Sequence, residues 1–162
     1  MQNTLAFEMV KHPILLISRL LMMILFINFG AQKLLDYSAT VGYFVHLGVP
    51  LPYIATLIAI IMELGVGIAI ALGLFVRPFA ILLAIYTLAT GVLGHPFWSM
   101  AGADQFEAEI NFFKNISIMS GLFLLYVTGA GRFSLDQILG WARPDTTDFG
   151  SFRAHSATNF NP

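Results

Sequence analysis

The sequence predicts an all-α integral membrane protein, a four-transmembrane-helix bundle with short interfacial helices, and three observations carry that prediction. Of its 162 residues, 57% are hydrophobic and 10% charged, with a mean hydropathy of +0.79; soluble domains carry about 25% charged residues. Four apolar stretches are long enough for the roughly 20 residues of helix that cross a hydrocarbon core. Those stretches are continuous, without period-two alternation, which selects helices over barrel strands. The same inventory excludes disorder. The absence of cysteine excludes disulfides, thiolate metal sites, iron–sulfur ligation and CxxC redox chemistry within the chain. A net charge of −1 offers no basic surface to nucleic acid.

One membrane domain is expected over residues 1–141, followed by a polar tail over 142–162. The first span, about 13–31, carries Arg19 and Asn28. Lys11 ahead of an apolar run resembles a signal peptide, but Arg19 inside the run and three further spans argue for a retained helix. Between the first two spans, residues 38–46 read as one or two helical turns on the membrane surface, stopped by Gly48 and Pro50. The second span, 51–75, is broken only by Glu63. A tight connection around Gly73 leads to Arg77-Pro78 and the third span, 77–94, which His95-Pro96-Phe97-Trp98 ends. Asp104 with Glu107 reads as a capping pair before the fourth span, 106–129. Residues 134–139 with Trp141 resemble a short interfacial helix. The two hairpins suggest a faint internal duplication, with Arg19 and Arg77 in matching places.

Four spans put both termini on one side, with Lys11, Arg19, Arg77, Arg132, Arg143 and Arg153; the other side holds only Lys33 and Lys114 beside Asp36, Asp104, Glu107 and Glu109. The positive-inside rule makes the terminal side cytoplasmic.

Ionisable groups in lipid cost about 2.5–3.5 kcal/mol at a span's centre, so they face the bundle or a wet cavity. Glu63 is central, and the row Ala55, Ala59, Gly67 and Ala71 lets a neighbouring helix approach it. Counted from the terminal side at 1.5 Å per residue, Arg19 is roughly 9 Å deep and Glu63 roughly 18 Å, which makes Arg19 the expected cation for Glu63. That pair reads either as a structural ion pair or as a protonatable site for a quinone or proton path. A second polar group gathers at the far side: Glu107, Asn111, Lys114 and Asn115 on one face of the fourth span, Gln32 and Lys33 leaving the first, His95 leaving the third. Together they would line a polar pocket reaching toward Glu63, the alternative being that Lys33 and Lys114 snorkel to headgroups. His95 reads as a quinone partner or as a helix-end histidine contacting last-turn carbonyls. His46 and His95 lack ligand spacing, so no metal is expected. Met22, Met23 and Met62 read as packing or lipid-facing residues.

At these positions the sequence resembles the DoxX family. The carriers are Arg19 with Gly30-Ala31-Gln32-Lys33-Leu34; Glu63-Leu64-Gly65-Val66-Gly67 with Gly73 and Arg77; His95-Pro96-Phe97-Trp98; Lys114-Asn115 with Ser120-Gly121-Leu122; and Ser134-Leu135-Asp136. The resemblance implies a four-helix bacterial or archaeal inner-membrane protein, linked through the family's name to quinone-reducing sulfur oxidation and terminal-oxidase complexes, with some relatives tied to thiol or oxidative stress. Arg19, Lys33, Glu63, Arg77, His95 and Asn115 are the motif residues it singles out.

Two readings follow. In the first, the chain is a quinone-linked redox subunit: Lys33, Lys114, Asn115 and His95 form the quinone pocket, Glu63, Arg19 and His95 carry the chemistry, and a partner subunit supplies the other redox centre. In the second it is a non-catalytic assembly or anchor subunit, held in the bilayer among partner subunits or copies of itself. A transporter or proton-conducting element ranks third.

Overall fold

The computed structural model describes residues 2–141, with side chains from Val10 onward. The polar tail expected over 142–162 lies outside the described residues. Among those described there is no strand, and four helices are long and apolar enough to span a bilayer. Helix α1 is Gln2–Leu35 and α2 is Tyr37–His46. Helix α3, Pro52–Leu72, contains a π-helical segment at Ile61–Val66. Helix α4 is Val76–Gly94, α5 is Gly102–Thr128, and the short α6 is Leu135–Ile138. Consecutive long helices run antiparallel. One end, the base, carries the α3–α4 connection and α6; the other, the mouth, carries α2 and the α4–α5 connection.

Helix starts and stops follow local chemistry. Asp36 caps α2, its carboxylate accepting from Ala39 N at 3.2 Å. Pro52 opens α3, where its missing N–H costs nothing. Gly73 ends α3 at φ +79°, a conformation only glycine adopts without strain. Asp104 is not the cap of α5: that helix starts at Gly102 behind Ala101, and Asp104 lies in its first turn, where its charge favours the helix dipole. Gly102, at φ +67°, turns the chain into the helix two residues ahead of Asp104.

The core fills the base half: Met23 and Phe26 of α1, Met62, Val66 and Ile70 of α3, Ala80 and Leu83 of α4, Leu122 and Leu125 of α5. Met23 and Met62 are therefore packing residues. The outer faces carry Ile14, Leu21, Ile58, Leu93, Leu124 and Val127, all exposed, which in a membrane protein is the lipid-facing surface. Helix α1 packs closely on the π segment of α3. A Cβ on Gly30 would lie 2.6 Å from Leu64 N and 2.9 Å from Leu64 Cβ. Backbone cannot yield there as a side-chain tip can, so Gly30→Ala is expected to destabilise by about 1–3 kcal/mol, read as a lower thermal midpoint in detergent. The same substitution at Gly65, where nothing lies within 4 Å, is the control.

Candidate functional site

The ionisable residues separate into two groups, one at the base and one toward the mouth. Arg19 belongs to the base. Its side chain is 2% exposed, and its guanidinium donates to Ala130 O at 2.5 Å and Phe133 O at 2.7 Å. Those carbonyls lie in the irregular segment between α5 and α6, where no helical hydrogen bond supplies them a donor. Ser134 then caps α6 through Gln137 N, Asp136 N donates to Gly73 O, and Phe75 N donates to the Asp136 carboxylate. Phe75 is held at φ +46°, a strained conformation for a residue with a side chain, and its ring stacks on Trp141 at 5.4 Å. The Ser134-Leu135-Asp136 motif thus closes the base, with Arg19 as its central donor.

The expected Arg19–Glu63 pair does not form. Gly30 marks the level of Glu63 on α1, because it abuts Leu64. Arg19 is eleven residues, about 16 Å, farther down the helix. The count from helix ends failed because α1 reaches well past the apolar run on both sides, so its end does not align with that of α3. The cation is Lys33, one turn beyond Gly30: its ammonium donates to Glu63 Oε2 at 2.6 Å. Tyr86 of α4 donates to the other oxygen, Glu63 Oε1, also at 2.6 Å. Lys33 further sits 5.5 Å from the centre of the Phe29 ring. Glu63 is buried and lies within the π segment, where the wider turn re-aims side chains relative to an unbroken α-helix.

Above the pair is a cavity of about 510 Å³. All four long helices line it, and Tyr43 and Phe44 of α2, with Leu47 just beyond that helix, border it at the mouth. Its walls are mostly apolar. Its polar groups are Lys33, Glu63 and Tyr86 on one side, His95, Asn111, Lys114 and Asn115 on the other, and the hydroxyls of Thr87 and Thr90 on α4. Lys114 donates to Asn111 Oδ1 at 2.7 Å. Asn115 packs where α4 and α5 cross, its amide nitrogen 3.2 Å from the place of a Cβ on Gly91. Among the described residues neither the His95 ring nor the Asn115 amide is hydrogen-bonded, so both keep free polar atoms at the cavity. An apolar chamber of this size with a few convergent polar groups has the character of a small-molecule site.

Lys33, Glu63, His95, Lys114 and Asn115 therefore meet at one cavity, while Arg19 and Arg77 stay at the base, Arg77 beside Gly129. Sequence reasoning missed Tyr86 and the aromatic cover of α2. A tyrosine in mid-span, with a hydroxyl that must find a partner in lipid, was the available signal for Tyr86.

Fold and site together define a small four-helix integral membrane protein whose ionisable residues gather around a chamber inside the bundle. The DoxX family profile matches residues 14–96, just over half of the chain. Inner membrane protein YphA of Escherichia coli (strain K12) is 43% identical over 131 residues, covering 81% of this chain and 94% of that protein. Inner membrane protein YqjF of the same organism is 37% identical over 130 residues, covering 76% and 90%. The chain belongs to the DoxX family. No solved structure matches it.

Proposed function

We propose that this chain is the membrane subunit of a quinone-linked redox complex and that the quinone headgroup occupies the cavity above Lys33 and Glu63. The observation that supports the reading is the cavity itself: about 510 Å³, largely apolar, inside the membrane-spanning region, with hydrogen-bonding groups on two opposite walls. A quinone ring presents one carbonyl to each side. Lys33 has two N–H donors beyond the one given to Glu63, and these suit one carbonyl. Lys114, Asn115 or His95 suits the other. Reduction to quinol takes two electrons and two protons. Glu63, bridged to Lys33 and Tyr86, is the group through which protons pass, and a partner subunit bearing flavin, haem or reactive thiols provides the electrons, because the chain has no cysteine of its own.

The inner-membrane location named for the two relatives is carried over to this chain, with the base cytoplasmic. The arginines of the base, Arg19, Arg77 and Arg132, support that orientation against the acidic mouth.

One feature favours the second reading, a non-catalytic anchor: the Lys33–Glu63–Tyr86 group satisfies itself, as a structural pair would. Purification of the tagged protein from native membranes in mild detergent, with copurifying chains counted by mass spectrometry and quinone extracted, separates the two. A stoichiometric partner with a redox group, together with bound quinone, is the expected result. A partner without redox groups and no quinone supports the anchor.

A further inference from the structure

The cavity is partly covered by α2 at the mouth, and it is not closed on its flank. Below Ile61, α3 packs against α4; above it, Pro52–Ile60 packs against α1 and α2 and has no extended contact with α4. The two helices therefore diverge toward the mouth. Across the gap stand Ala55 and Ile58 of α3 and Ala89 and Leu93 of α4, and all four line the cavity. Ile58 and Leu93 are also 50% and 55% exposed on the outer surface, and Ala89 is exposed as well. A residue that borders both the chamber and the exterior marks an opening. These four lie in membrane-spanning segments and are all hydrocarbon, so the exterior they meet is the bilayer.

The two sides of the chamber differ in kind. Toward α1 and α5 stand Lys33, Asn111 and Lys114; toward the α3–α4 gap, above the Glu63–Tyr86 hydrogen bond, the surface is mostly alkyl, the hydroxyls of Thr87 and Thr90 being spent on backbone carbonyls of their own helix, and the small Ala55 and Ala89 leave room between the helices. We infer that the gap between α3 and α4 is a lateral portal, through which a membrane-dissolved amphiphile enters head first and in which its alkyl or isoprenoid tail remains. The head crosses to the polar wall, where Lys33 is available, and the tail runs out between Ala55, Ile58, Ala89 and Leu93. Phe29, Tyr43 and Lys114 also line the chamber and are exposed, so there is a second opening on the α1–α5 side of the mouth, but it is edged by the Lys33 and Lys114 ammonium groups and does not suit an alkyl tail. The quinone reading supplies only the identity of the head. The portal itself rests on the divergence of α3 and α4.

The test has two arms. In a Trp98→Phe/Trp141→Phe background, which removes both native tryptophans, Phe26→Trp puts a fluorophore on the cavity wall at a residue 4% exposed. In vesicles of phosphatidylcholine brominated in mid-chain, this tryptophan is expected to lose most of its emission relative to unbrominated vesicles. Ala55→Leu/Ala89→Leu, which fills the gap from both sides, is expected to reduce that quenching severalfold. Ile118→Trp on the opposite wall serves where Phe26→Trp does not fold. Quenching that the filled gap leaves unchanged, or its absence from the start, overturns the portal. In the second arm, wild-type protein in unbrominated vesicles is photolabelled with a decyl-tailed azidobenzoquinone. Labelling of cavity residues that falls severalfold in Ala55→Leu/Ala89→Leu is the expected result. Labelling that the filled gap leaves unaffected overturns the portal even if the ligand is a quinone. Gap-dependent quenching without any quinone labelling keeps the portal and removes the quinone.

Discussion

Glu63→Gln is expected to cost stability and quinone binding together. The substitution leaves the Lys33 ammonium without its carboxylate inside the bundle. Removing one partner of a buried ion pair costs about 3–5 kcal/mol, and the low end applies because the Lys33 side chain keeps 22% exposure and can swing toward the mouth. The thermal midpoint in detergent reads this loss. Lys33→Met combined with Glu63→Gln removes both charges and is expected to regain most of the stability, since an apolar side chain of similar length suits the site better than an orphaned ion. If the double substitution is as unstable as Glu63→Gln alone, the Lys33–Glu63 pair is not what the single change breaks. Tyr86 can still donate to the carbonyl oxygen of the introduced amide in either variant, so the comparison isolates the charge.

Arg19→Leu is expected to have an effect of similar size at the other end, and for a different reason. It orphans the carbonyls of Ala130 and Phe133, and an unsatisfied buried acceptor costs about 1–3 kcal/mol, so the total is about 2–6 kcal/mol. The loss is localised: the 129–141 segment should release from Gly73 and Phe75 and become sensitive to protease before the bundle melts. Arg19→Lys is expected to recover only part, because an ammonium lacks the planar fork that reaches two carbonyls at once. Cleavage and melting that move together would contradict a separate closure of the base. Quinone content unchanged in Arg19→Lys is also expected, because Arg19 lies outside the cavity.

How much of this was legible in the sequence follows from which force decides each feature. The four helices were readable because lipid leaves the backbone few alternatives, and apolar length alone then marks a span. The short helices were readable in outline from the stops at Gly48 and Pro50 and from the run 134–139, whereas the Asp36 cap that starts α2 was not read. The gathering of Lys33, Glu63, His95, Lys114 and Asn115 was readable in outline, because each must avoid lipid and the antiparallel order brings their ends to one level. The partner of Glu63 was not. It depends on how far α1 slides along α3, which the contact of Gly30 with Leu64 sets and no apolar count contains. The π segment was equally hidden: Ile61 to Val66 has no composition that distinguishes it from α-helix, and the extra residue in its turn decides where Glu63 points. Divergence of α3 and α4 belongs to the same class, since it arises from packing between helices distant in sequence.

The proposed role of the Lys33–Glu63–Tyr86 group as the polar end of a quinone site is tested most directly by quinone content. Wild-type protein and Lys33→Met/Glu63→Gln, purified from native membranes under the same mild conditions, are extracted with organic solvent and their quinone quantified per chain. The expected result is stoichiometric quinone in the wild type and loss of nearly all of it in the doubly substituted protein at matched thermal stability. Equal quinone in both, or none in either, would contradict it.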